Sequence, residues 1–386
     1  MRPYLGALLF ATVVAASACG RATESTPPHQ GSPVAHQGST VASASTLTWP
    51  VKLPTGQSPL GPLAPDPTRP GVWFTSYSSS EAYAYFYSPA TSQLTTFPLG
   101  STNQAVNLTY FSQEGLAVDS AGNVWIGANN QLAELVPSSG DVTQRTIPTP
   151  VASAVADEFA NSHMVTSLVI GPNGEVVIAE TGAATLTTFN PSTDTFGVLT
   201  IPQVGEVQAL AASSDGTIAV AMSERHSDGS FVNDLVVVIH PDGTQTDVAA
   251  PSSWIGSAGS EFVMGDLGQV STAASSSTAG TAAMAADLLN GQHSNFDLNV
   301  AAVLPDGSVA IATTTGIDIV ANGAVQQTIA LPQWACAGAW NPPPGDTQTP
   351  PTTCQETPTH IVVDRSGNIW VSPDQPQNEL GLIPTS

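Results

Sequence analysis

Positive charge is scarce: 7 Lys and Arg stand against 30 Asp and Glu in 386 residues, a formal net charge of −23. No basic stripe is available to release counterions from a phosphate backbone or to settle on anionic lipid, which excludes nucleic acid as a partner. Such a surface suits solubility, a cationic partner or a metal ion. Charged residues of all kinds make up only 10% of the chain, too few for a Lys- and Glu-rich helical protein. Cysteine is equally sparse, with 3 in all and no CxxC pair, so neither a disulfide-dense scaffold nor a zinc ribbon fits. After the apolar run Leu5 to Ala16 no stretch is long enough to span a membrane. No nucleophile elbow sits between a strand and a helix, and no phosphate loop or zinc signature is present.

Turn formers are abundant, with 33 Gly and 32 Pro. The N-terminus carries one cation at Arg2, the short apolar run, and then Ala16-Ser17-Ala18-Cys19, which reads as a secretory signal over residues 1–18. The same four residues resemble the lipobox of bacterial lipoproteins, in which Cys19 becomes the lipidated first residue. An ordinary cleavage would cut at the same bond and leave an unmodified thiol. Residues 20–46 lack apolar periodicity and read as a flexible tether, so the expected layout is a signal (1–18), a lipidated Cys with its tether (19–46) and a folded domain (47–386). The expected location is the bacterial cell envelope or cell surface, with the membrane reached through the lipid alone.

The folded part repeats. Residues 114–150 read as four short strands, Leu116 to Asp119, Val124 to Ala128, Leu132 to Val136 and Thr143 to Ile147, separated by polar turns. Aligning Gly122 with Gly174, Gly216, Gly307 and Gly367 places small or apolar residues six and four positions before each Gly and two and four after it. That is a hairpin with one buried face and a Gly in its turn. Weaker copies surround Gly268 and the segment LAPDPTRPGVWFTS, giving units spaced by about 50 residues. Outer strands end alike, in TTFPLG, RTIPTP, LTIPQ, DVAAP and TIALPQ, where Pro stops an edge strand. The last unit ends one strand short, and LTWPVKLP at 47–54 has the form of the missing strand.

These observations predict an all-β chain: a seven-bladed β-propeller of four-stranded antiparallel blades, closed by an N-terminal strand that completes the last blade. Insertions are expected at Val151 to Ser162, Ser252 to Ser260 and Gln333 to Gln355. The last brackets a Pro-rich loop between Cys336 and Cys354. A disulfide there, in an oxidising compartment, would contribute about 3 kcal/mol at most; a redox or metal role is the alternative.

The segments GLAVDSAGNVWIG, DRSGNIWVS and GVWFTS, with endings TIPTP and KLPT, resemble the streptogramin lyase (virginiamycin B lyase)-like propellers over roughly residues 47–386. The resemblance implies a channel-centred site in which a metal ion, a His and Glu residues open a cyclic depsipeptide by elimination. In the lyases a Glu-x-His-Gly-Ile start to the innermost strand faces a Glu closing the next strand. Here Glu114 stands where the His would be, with Ser112 and Ala128 at the two Glu positions. The next unit keeps the closing Glu180 but has Met164 and Thr166. The last unit has Thr357, Thr359 and Pro373, with His360 one residue out of register. Glu114, Glu180 and His360 are therefore read as ligand-binding candidates, with no catalytic residue assigned and the metal, if any, unknown. The function expected is that of a monomeric binding module without catalysis or a required cofactor, its ligand a protein, peptide or small molecule. A metal-dependent lyase using a divalent cation on cyclic depsipeptides or lactones is the alternative.

Overall fold

The structure is a computed structural model. It describes residues 46–54, 58–77, 81–101, 115–128, 130–148, 165–180, 183, 185–201, 205–225, 231–249, 254–258, 261–266, 269–274, 281–284, 301–312, 316–321, 324–331, 333–335, 353–355, 358–373 and 379–385. The signal, Cys19, the tether, Glu114 and Cys336 lie outside these residues.

All regular structure described is β. Strand β1 is Thr48–Lys52. The first sheet follows as β2 (Ser58–Pro65), β3 (Val72–Tyr77), β4 (Glu81–Ser88) and β5 (Gln93–Ser101). The second is β6 (Gly115–Val118), β7 (Val124–Ala128), β8 (Gln131–Val136) and β9 (Asp141–Thr146). The third is β10 (Val165–Ile170), β11 (Val176–Glu180), β12 (Thr185–Asn190) and β13 (Thr195–Thr200). The fourth is β14 (Glu206–Ala212), β15 (Ile218–Arg225), β16 (Phe231–Ile239) and β17 (Gln245–Ala249). The fifth is β18 (Trp254–Ala258), β19 (Glu261–Asp266), β20 (Gln269–Ala274) and β21 (Thr281–Met284), and the sixth β22 (Ala301–Val303), β23 (Val309–Ala312), β24 (Gly316–Ala321) and β25 (Ala324–Ala330). Strands β26 (Gln333–Ala335) and β27 (Thr353–Gln355) pair only with each other. A closing sheet is built from β28 (Pro358–Val363), β29 (Ile369–Pro373), β30 (Glu379–Ile383) and β1, in the order β28-β29-β30-β1.

Each four-stranded sheet is an antiparallel meander, and the first strands β2, β6, β10, β14, β18, β22 and β28 contact one another in a closed cycle. The chain is thus a β-propeller, a class in which each sheet has two apolar faces and buries both against its neighbours. Alternation along a strand divides the work. Val176 and Ile178 pack with Trp125 and Leu132 of the second sheet, while Val177 and Ala179 pack with Val220 and Val237 of the fourth. Between the second and third sheets the approach is close enough to require glycine. A Cβ on Gly115 would lie 2.2 Å from Leu168 Cβ, and one on Gly127 2.7 Å from Val165 Cγ1. The ring closes through β1 and β30, where Val51 opposes Leu380 and Lys52 opposes Glu379, with the Lys52 and Glu379 side chains 2.8 Å apart.

The turn after each first strand has its own chemistry. Gly122, Gly174, Gly216, Gly307 and Gly367 all take φ between 79° and 84°, the left-handed region that glycine enters without cost, and each donates its N–H to the carbonyl three residues earlier. Three turns add a buried lock. Asp66 Oδ2 accepts from Trp73 Nε1 at 3.0 Å, Asp119 Oδ2 from Trp125 Nε1 at 3.1 Å, and Asp364 Oδ2 from Trp370 Nε1 at 3.0 Å. The indoles are wholly buried, so their N–H groups need these acceptors. In the other turns of this kind Gly171, Ser213 and Leu304 replace the Asp, and Val177, Ala219 and Ala310 replace the Trp. Burial works to raise the pKa of Asp66, and hydrogen bonds from Thr68, Arg69 and Trp73 outweigh it and leave the carboxyl below its usual value.

Several expectations are corrected. Seven equivalent blades would place seven like apolar seams around the ring. Among the described residues the hydrophobic clusters number six, each joining two neighbouring sheets. Of the fifth sheet, the described side chains of Ile255 and Phe262 pack with the fourth-sheet residues Ala211, Ala219, Val236 and Val248. In that sheet Ser252 to Ser260 is not an insertion: it contains β18, the innermost strand, and Gly268 lies in the segment joining the second strand to the third. The Gln333 to Gln355 insertion carries strands at its two ends, since β26 and β27 pair with Ala335 opposite Thr353 and Trp334 opposite Cys354. Asp119→Ala is expected to lower unfolding free energy by about 3 kcal/mol, because it strands a buried indole N–H and two turn amides. Urea denaturation checks this, and the loss in the Asp119→Ala, Trp125→Phe double variant should be smaller than the sum of the single losses.

Candidate functional site

First strands begin, and second strands finish, at the same end of the ring, and this end carries the candidates. Antiparallel register places Pro59 opposite Ser76, Val165 opposite Glu180, Glu206 opposite Ser223 and His360 opposite Ser372 there. Buried polar side chains gather at these positions: Ser76, Glu180, Ser223, His360 and Ser372. Ser223 Oγ accepts from Gln208 Nε2 at 2.7 Å. Ser76 Oγ, Thr166 Oγ1 and Glu180 Oε1 are buried with no hydrogen-bond partner among the described residues. Among the described residues these three oxygens at one end of the ring are desolvated without a partner, a state native structures seldom tolerate unless something else engages the group.

Glu180 is the sharpest case. It closes β11, is 1% exposed, and receives a single hydrogen bond, from Thr187 Oγ1 to Oε2 at 2.9 Å. Burial pushes its pKa from 4.5 up to about 7, against the opposing pull of the Thr187 bond. The carboxyl therefore changes charge near neutrality, which gives it the chemistry of a proton carrier or of an acceptor for an incoming cation. His360, 6% exposed, lies in β28 beside Ser372, and burial lowers its pKa from 6.5 to about 4, so the imidazole is neutral at pH 7. The structure does not bring Glu180 and His360 together: they belong to the third and closing sheets, which are not neighbours in the ring. Glu114 would precede β6 at the same end but lies outside the described residues, as do Cys19 and Cys336; Cys354 is in β27. Sequence reading passed over Thr187 and Ser76. The available signal was positional, since Ser76 and Glu180 both stand four residues after the first residue of a second strand.

No protein-family model and no curated protein sequence matches the chain. Among solved structures it is similar to a catalytically inactive virginiamycin B lyase from Staphylococcus aureus with quinupristin, at 12% identity and a TM-score of 0.60, over 88% of this chain and 99% of that one. It is also similar to a streptogramin B lyase, at 12% identity and a TM-score of 0.60, over 89% of this chain and 98% of that one. The WD40 repeats of RRP9 match at 15% identity and a TM-score of 0.59, over 89% and 99%. At such identities the likeness is one of fold, and it spans both lyases and WD40 repeat domains.

The raised pKa of Glu180 has a definite sign. The folded chain holds this proton up to about pH 7 while the unfolded chain loses it near 4.5, so stability is largest below 4.5 and falls as pH rises to about 7. The contribution lost is about 3 kcal/mol. Urea midpoints measured between pH 4.5 and 7.5 should fall by more in the wild type than in Glu180→Gln, which stays neutral throughout.

Proposed function

We propose that this chain is an exported, lipid-anchored β-propeller of the bacterial cell envelope that binds a protein, peptide or small-molecule ligand at the end of the ring carrying Glu180, without catalysis. The observation that carries the reading is the set of buried oxygens of Ser76, Thr166 and Glu180 at that end that have no partner among the described residues. A rigid ring presenting many strand-end positions suits recognition. The equivalent positions Ser76 and Ala128 hold uncharged side chains, as do Ser223 one residue further on and Ser372 one residue earlier, so Glu180 would discriminate among the buried polar groups described at this end. The net charge of −23 favours a ligand that carries positive charge over one that is acidic. Lipidation of Cys19, with residues 20–46 as tether, would hold the ring clear of the membrane, and a Cys336 to Cys354 disulfide would pin the loop that follows β26. The acting unit is read as a monomer.

The lyase reading draws on the fold likeness and on Glu180 at the position of the closing Glu. A divalent ion shared with a cyclic depsipeptide needs several oxygen or nitrogen donors. The described residues contain no group of three or more His, Cys, Asp or Glu that could hold one. Among the buried side chains described at this end Glu180 is the one carboxylate, the others being hydroxyls and His360; that set does not fit the ion, and no step is derived through it.

Two measurements test the proposal. Residues 47–386, incubated with a panel of cyclic depsipeptides and lactones and Mg²⁺, should leave every ring intact by mass spectrometry; linearisation that Glu180→Ala abolishes would replace binding with catalysis. In a bacterial host, the full chain should fractionate with membranes and Cys19→Ala should release it, whereas membrane association unchanged by the substitution would refute the anchor.

A further inference from the structure

We infer that the end of the ring carrying Glu180 faces away from the anchoring membrane, so that it engages a water-borne ligand and not a lipid headgroup of that membrane. The inference rests on the lipid anchor proposed above and adds the direction of display. What fixes the direction is the path by which the chain enters the ring.

The two ends of the ring differ in chemistry. One holds the Gly turns, among them Asp119 to Asn123 and Asp364 to Asn368; the other holds the buried polar strand ends at Glu180, Ser223 and Ser372. The closing sheet can be followed from one end to the other. Val363 pairs with Ile369 beside the Gly367 turn, and Pro358 pairs with Pro373 at the Glu180 end. Ile369 also pairs with Ile383, so β30 finishes at the turn end. Strand β1 runs opposite to β30, with Thr48 across from Leu382 and Lys52 across from Glu379. The chain therefore enters β1 at the turn end and leaves it toward the Glu180 end. Leu47 holds the entry point in place. It packs with the cluster containing Ile369, Val371 and Ile383, and its Cδ1 lies 2.8 Å from where a Cβ on Gly381 would stand, a contact that only glycine leaves room for. Whatever precedes Leu47 in the chain, Cys19 included, is thus joined to the ring at its turn end.

Two physical effects keep that end toward the membrane. Residues 20–46, read as a flexible tether, have a root-mean-square reach of about 30 Å. Turning the Glu180 end to the bilayer would oblige the tether to climb the outside of the ring, where one five-residue strand such as β7 already spans about 17 Å. That detour takes up about half of the reach and restricts the tether's conformations. Charge acts in the same sense, because a chain of net charge −23 is repelled by anionic lipid and stands off as far as its attachment allows. The turn end, for its part, is chemically occupied: Asp66, Asp119 and Asp364 already accept hydrogen bonds from indoles.

The test places a fluorescent amino acid in the lipidated full chain, either at Ala121, exposed at the turn end, or at Asn130, exposed beyond the other end of the same strand β7. The chains are incorporated in vesicles of phosphatidylcholine and phosphatidylglycerol that carry a headgroup-attached acceptor dye. Energy transfer should put position 130 farther from the acceptor plane than position 121, by up to about 17 Å. Ser366 at the turn end and Glu81 at the other, both exposed, give a second pair that should show the same order. Equal distances, or the reverse order, in chains that float with the vesicles would overturn the inference and leave the anchor standing. Chains that do not float would overturn the anchor, and the direction of display with it.

Discussion

The pairing of Thr48–Lys52 with Glu379–Ile383 is the contact on which the rest of the ring depends. A four-stranded sheet with two apolar faces cannot cover either by itself, and a row of such sheets leaves two faces bare unless its ends meet. Closure turns those faces into one more seam, filled by Trp370, Phe74, Tyr85 and Tyr87, and the N-terminal strand supplies the outer edge that the last three strands lack. The close approach of Gly115 and Gly127 to the third sheet has the same origin, because sheets wedged around a common axis crowd most at their innermost strands.

The scarcity of basic residues acquires a structural meaning. Of the described basic side chains, Lys52 joins Glu379 across the closure, and Arg365 donates to the carbonyls of Pro67 and Thr68 in the first sheet. Arg145 reaches from the second sheet to Asp194 in the third at 2.6 Å while lying 4.7 Å from the centre of Phe189. Arg69 binds Asp66 and covers Phe86. These four cations are committed to turns and seams, and the buried carboxyl of Glu180 has no described cation beside it.

The polar groups at the strand ends follow a different logic from the apolar ones. Trp73, Trp125 and Trp370 are satisfied by an Asp supplied six or seven residues earlier, so the lock is local and built with each hairpin. Glu180 Oε1, Thr166 Oγ1 and Ser76 Oγ have no such partner among the described residues, and their environment is set by whichever sheets and loops converge on that end. Burial moves two pKa values in opposite directions in one ring, raising that of an acid in the third sheet and lowering that of an imidazole in the closing one.

Much of this was legible in the chain because its determinants are local. The five Gly turns at 122, 174, 216, 307 and 367, the period-2 apolar pattern around them and the orphan strand at 47–54 specify hairpins, their number of strands and the closure through short-range geometry alone. The pattern failed in the fifth unit, where Gly268 suggested the first turn and proved to follow the second strand, because Ala, Ser and Thr carry too little hydrophobic contrast to set a register. It also could not rank the candidates. Glu180 and His360 were both visible as polar residues near strand ends. That one is an acid raised to about pH 7 and the other an imidazole lowered to about 4, on sheets that do not touch, is decided by desolvation between packed sheets, a quantity that exists only once the ring has closed.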